Sequence, residues 1–158
     1  MSAAVALSGE RIAVFLTCLG HFFSHFYLLV LPPLFPLIKG EFAVSFTALG
    51  AVIMARSIGT IVAQYPMGVL VDRYAARYFL IGGLALTGLA VALLSVTTSY
   101  GFLLALAFLA GLGNSVFHPA NYAILEETVS ESRLGRAYSA HTLSGNIGWV
   151  LAPLWSFS

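Results

Sequence analysis

FLLALAFLAGLGNSVFHPANYAIL, residues 102–125, begins as an unbroken apolar run, then takes in Asn114, Ser115, His118, Pro119 and Asn121 before turning apolar again. At about 1.5 Å of rise per residue, a helix of this length crosses a hydrocarbon layer about 30 Å thick. Polar groups at that depth are tolerated where they face a bundle interior or a wet cavity. The stretch therefore reads as a spanning helix with one polar face. Asn114, His118 and Asn121 lie at helical steps of four and three, which predicts a shared face. Pro119 has no amide hydrogen to give the Ser115 carbonyl, so a bend is expected there.

The rest of the chain agrees with a lipid setting. Of its 158 residues, 59% are hydrophobic and 8% charged, against roughly 45–50% and about 25% in soluble domains. Mean hydropathy is +0.94. The net charge of +1 gives no electrostatic reason to expect nucleic acid as a partner. Cys18 is the single cysteine and cannot form an internal disulfide. The apolar stretch from Ile12 runs too long for a signal peptide, holds His21 and His25, and lacks an A-x-A cleavage pattern.

The expected fold class is an all-α membrane protein. Breaks in the apolar pattern predict five helices, at about 12–38, 46–71, 77–98, 101–126 and 134–158. Pro32, Pro33 and Pro36 should bend or fray the exit of the first, before a short loop with Lys39 and Glu41. Arg11, Arg73, Arg77, Arg133 and Arg136 fall on one side of this arrangement and Lys39 on the other. Short cytoplasmic loops retain positive charge, so the N-terminus is expected in the cytoplasm.

Polar residues are unevenly shared among the helices. The third, YFLIGGLALTGLAVALLSV from Tyr78, has almost none. The first carries His21, Ser24 and His25; the second Arg56 and Gln64; the fourth the residues above; the fifth His141, Ser144 and Asn146. Helices one, two, four and five should surround a cavity, with helix three toward lipid. The candidate cavity residues are His21, His25, Arg56, Asn114, His118, Asn121 and Asn146. His21 and His25 are one turn apart and roughly 15–20 Å along the helix from Arg11, near the bilayer midplane. No carboxylate within the spans neutralises Arg56, so an anionic substrate is expected to do so. GGLALTG, GLGNS and GNIG mark close helix packing.

Two segments carry a family resemblance. GVLVDRYAAR, Gly68 to Arg77, resembles the loop motif between the second and third helices of the major facilitator superfamily: Gly68, Leu70, Asp72, Arg73, Tyr74 and Arg77 match, while Ala75 and Ala76 replace a glycine and a basic residue. GLGNSVFHP, Gly111 to Pro119, followed by GRAYSAHTLSGNIG, Gly135 to Gly148, and then Ala152 and Pro153, is similar to the branch of fosmidomycin-resistance efflux proteins. GWVLAP, Gly148 to Pro153, resembles the antiporter element of the superfamily, with Ala152 in place of its second glycine.

The resemblance implies a secondary active transporter of the cell inner membrane. It would move a small molecule by alternating access, with proton-coupled efflux of a drug or anionic compound. It implies no enzyme activity and no cofactor. Gly68, Asp72, Arg73 and Arg77 form the implied cytoplasmic gate, Asp72 pairing with a helix N-terminus or with Arg133 or Arg136 in one state and releasing it in the other. Ser24 and His25 stand where branch members carry an amide and a carboxylate, which leaves the histidines to carry the proton. The superfamily has two six-helix halves around its site. Five helices are therefore expected to be an N-terminal fragment lacking its second half, or else a half-size subunit. Uptake is the other direction to consider. A metal reading of the four histidines, built on His21-x-x-x-His25, is set aside because no carboxylate within the membrane offers a third ligand and a polar cavity accounts for the pair.

Overall fold

The computed structural model describes residues 3–155, with side chains described for residues 7–154. The described chain is helical throughout, without strands: α1 (Ala3–Leu29), a 3-10 turn (Pro32–Leu34), α2 (Phe35–Phe42), α3 (Phe46–Arg73), α4 (Ala76–Leu94), α5 (Tyr100–Asn114), α6 (Phe117–Thr128) and α7 (Glu131–Trp155). Among the described residues, four stretches are long and apolar enough to cross a membrane: Leu7–Phe42, Phe46–Arg73, Ala76–Leu94 and Tyr100–Thr128. The fold is an all-α membrane bundle.

Two expected helices are divided, each at proline. The first stops at Leu29, and Pro32 opens a 3-10 turn where a missing amide hydrogen has no helical carbonyl to deprive. Lys39 and Glu41, expected in a loop, lie within the short α2. That helix ends at Ala43, whose left-handed backbone (φ 51°, ψ 40°) is strained for a residue with a Cβ. Ser45 then caps α3 by accepting a hydrogen bond from the Ala48 amide at 3.1 Å.

The fourth span breaks at Ser115 and Val116, between α5 and α6. Pro119 cannot donate to the Ser115 carbonyl, and the Ser115 hydroxyl turns back to the Leu112 carbonyl at 2.7 Å. Across this break the three residues drawn on one face differ in burial. Asn121 is fully buried, Asn114 is partly buried on the preceding helix, and His118 is exposed.

Small residues set the close contacts. On α4 the buried residues are Ala76, Leu80, Gly83, Thr87, Ala90 and Leu94, spaced by alternating fours and threes, so one stripe of the third span packs inward. The opposite side, with Ile81, Leu89 and Leu93, is exposed. Gly111 and Gly113 are two residues apart and point to opposite sides of α5. A Cβ on Gly111 would sit 2.0 Å from the Arg56 carbonyl oxygen of α3; one on Gly113 would sit 2.8 Å from the Gly83 carbonyl oxygen of α4. The fourth span is thus wedged between the second and third at backbone distance.

α7 packs along α1 through a stripe of the same period: Ala137, His141, Gly145, Gly148 and Ala152 are buried. Its remaining surface has two exposed stripes. Ser139, Thr142 and Asn146 make one polar, whereas Leu143, Ile147, Val150 and Leu154 make the other apolar. That mixed surface explains why α7, although 25 residues long, is not among the helices apolar enough to span on composition alone.

Candidate functional site

The polar interior lies where α1, α6 and α7 meet. His21 is 5% exposed and its ring stacks on His141, with centroids 3.9 Å apart and planes 7° from parallel. His25 meets His21 edge to face at 4.2 Å and stacks on Trp149 at 4.7 Å. His118, from α6, lies 5.6 Å from His21, and Tyr122 one turn further lies 5.8 Å from His141. All four histidines of the chain therefore belong to one cluster. It is room made by glycine: a Cβ on Gly145 would lie 2.7 Å from the His21 ring and 3.0 Å from that of His25.

Hydrogen bonding fixes part of this arrangement. His21 Nδ1 is 2.8 Å from the His141 carbonyl oxygen. A carbonyl only accepts, so Nδ1 carries the proton and Nε2 the lone pair. The Ser144 hydroxyl donates to the same carbonyl at 2.7 Å. His21 Nε2 is buried with no hydrogen-bond partner, as are both polar atoms of the Asn121 amide. Native interiors seldom leave such atoms unpaired, and His25 Nδ1 and both ring nitrogens of His141 are buried without a partner too.

The profile of the Major Facilitator Superfamily matches residues 17–156. The chain belongs to that superfamily. Among its relatives is the fosmidomycin resistance protein of Escherichia coli (strain K12), 29% identical over 136 residues, covering 86% of this chain and 33% of the relative. Another is YfnC of Bacillus subtilis (strain 168), an uncharacterized transporter of the superfamily, 30% identical over 125 residues, covering 79% of this chain and 30% of the relative. The chain thus spans about a third of the length of these relatives. No solved structure matches it. Superfamily membership makes it an integral membrane protein of a transporter family, a family of carriers rather than enzymes.

Within this superfamily member the sequence-derived site residues divide into three groups. His21, His25 and His118 come together. Asn121 is buried nearby on α6, whereas Asn146 is exposed on the polar stripe of α7 and Asn114 lies across the helix break. Arg56 comes from α3 and makes none of the ring contacts of the cluster: it is 3% exposed, its Nη1 donates to the Tyr27 carbonyl in the last turn of α1, two residues after His25, and Nη2 has no partner. His141, Tyr122 and Trp149 were not among the expected cavity residues, yet they stack on those that were. The signal for His141 lay in its place at the start of a small-residue repeat with Gly145, Gly148 and Ala152 on one helix face.

Charged residues collect at one end of the bundle. Glu10, Arg11, Arg133 and Arg136 line a cleft of about 530 Å³ between α1 and α7. Asp72, Arg73, Glu126 and Glu127 line a second, of about 500 Å³, between α3 and α6. Asp72 is exposed there, and Arg133 is not its partner. Arg133 Nη2 lies 2.7 Å from Glu10 Oε2 and clips the start of α7 to that of α1. Arg77 reaches over the Tyr78 ring and donates to its hydroxyl at 3.2 Å. Gly68 has no atom near a built Cβ, so no close contact requires a glycine there. Lys39 lies at the other end, over the ring of Phe46.

Proposed function

We propose that the protein is a secondary active transporter that exports a small anionic compound in exchange for protons by alternating access. The observation that carries this reading is the juxtaposition of the histidine cluster with the exposed polar stripe Ser139, Thr142 and Asn146, between surfaces otherwise suited to lipid. A polar strip at membrane depth has to face water or another polar wall. We assign that wall to a second helical half, in keeping with the coverage of about a third of its relatives. The basic cleft with Arg11, Arg133 and Arg136 is then a cytoplasmic vestibule of the inner membrane, with the N-terminus on that side. Gly68, Asp72, Arg73 and Arg77 form its gate.

Histidine is the group that exchanges a proton nearest neutrality. Among the described residues the cluster contains four of them and no carboxylate. The anion is met by Arg56, whose Nη2 is free to bind. The name of the Escherichia coli relative supports a phosphonate such as fosmidomycin as the exported compound.

The test is fosmidomycin accumulation in inverted membrane vesicles carrying the protein. Accumulation is expected to require an imposed pH gradient and to be lost in Arg56→Gln, with partial retention in Arg56→Lys. Accumulation that survives collapse of the gradient would remove proton coupling, and a fully active Arg56→Gln would remove the anion site.

A further inference from the structure

The sequence offers the histidine pair of α1 no carboxylate within the membrane as a third ligand, and the fold brings a third histidine to it instead. We propose that His21, His25 and His118 form a binding site for a divalent transition-metal ion of the zinc type. Their ligand nitrogens all lie within 4.8 Å of one another. A tetrahedral ion with bonds of about 2.0–2.1 Å holds its donors about 3.4 Å apart, so closure requires a movement of roughly 1.4 Å. His118 can make it: its side chain is exposed, and it sits beside the helix break at Ser115 and Val116.

Three further observations favour a metal over a polar packing cluster. First, His21 is already in the ligand tautomer. Its Nδ1 proton is held by the His141 carbonyl, which leaves a buried and unpartnered lone pair on Nε2. A carbonyl partner of this kind is the usual outer support of a metal-bound histidine. Second, the backbone clears the space: Gly145 admits both rings of α1 where any Cβ would collide with them. Third, the donor set is all imidazole. That composition suits zinc, copper, nickel or cobalt and does not suit magnesium or calcium, which take oxygen ligands. Neutral ligands leave the ion's charge uncompensated, so the open fourth position favours hydroxide or another anion.

Zn²⁺ and a proton compete for the same imidazole nitrogens, so bound metal should block the proton exchange proposed above, while metal binding itself is read without transport. The protein, purified in detergent without a polyhistidine tag, is dialysed to equilibrium against Zn²⁺. Co²⁺ in its place reports tetrahedral nitrogen ligation by its visible absorption. One ion per chain is expected, with a rise in the unfolding temperature of the wild type. His118→Ala, on the exposed ring least needed for folding, should weaken binding about 100-fold or more and abolish the Zn²⁺-induced rise. Loss of an outer partner alone already costs 10–100-fold. Gly145→Ala keeps every histidine yet should weaken binding at least tenfold, because the His21 ring must shift. Cys18→Ser should bind as the wild type does. The assignment is overturned if the wild type takes up no stoichiometric metal, if a folded His118→Ala binds as tightly, or if Cys18→Ser abolishes binding.

Discussion

At the crossing of α3 and α5, Gly111 lets two backbones touch: a Cβ there would lie 2.0 Å from the Arg56 carbonyl oxygen. At the crossing of α1 and α7, Gly145 makes room for side chains, and the atoms nearest a built Cβ belong to His21 and His25. The same residue type thus serves close packing in one contact and a polar pocket in the other. The first contact is finished by Thr60, whose hydroxyl donates to the Gly111 carbonyl at 3.0 Å. The second leaves His21 Nε2 and the Asn121 amide unpaired. The first region is closed by packing, whereas the second leaves buried polar atoms without partners.

Gly111→Ala attacks the first contact and should have the largest effect on stability. Backbone cannot step aside as a side chain can, so overpacking is expected to cost about 3 kcal/mol, read as a drop in thermal unfolding temperature in detergent. Gly145→Ala is the matched change in the second contact. Rings can rotate, so the expected loss of stability is nearer 1 kcal/mol. Transport in vesicles should nevertheless fall tenfold or more. If both variants lose stability equally, the contrast between the two contacts is wrong.

Asn121→Leu sharpens the comparison from the other direction. Replacing a buried, unpaired amide by an apolar side chain of similar volume should raise stability by about 1 kcal/mol while lowering transport. A variant that is both destabilised and fully active would show Asn121 to be structural. The smallest effect belongs to Glu10→Gln. It removes the ion pair with Arg133, whose side chains are 38% and 15% exposed for Arg133 and Glu10. Such pairs contribute about 0–1 kcal/mol, and the loss should vanish as salt is raised.

The helical membrane fold was legible because length and apolar content are nearly sufficient to specify it. Breaks at proline were legible as well, since Pro119 and Pro32 act through their own missing donors. What such a break does to distant faces was not. Asn114, His118 and Asn121, drawn on one face across the bend at Pro119, are half-buried, exposed and fully buried in turn. The meeting of His118 with His21 and His25 depends on how α6 crosses α1, and no local pattern encodes that. His141 was visible as a polar residue in a span. Its place against His21 follows from the small-residue repeat on α7, a pattern that identifies a contact face but not the helix it contacts. Arg133 was one of the partners that the resemblance offered Asp72 in one state; here it pairs with Glu10.

Arg56 joins three spans at a single position. Its side chain holds the Tyr27 carbonyl of α1, its backbone belongs to α3, and its carbonyl oxygen lies against Gly111 of α5. Mechanically it is a crosspiece. A displacement of α1 that keeps this hydrogen bond should therefore reach the fourth span through the turn of α3 that carries Arg56.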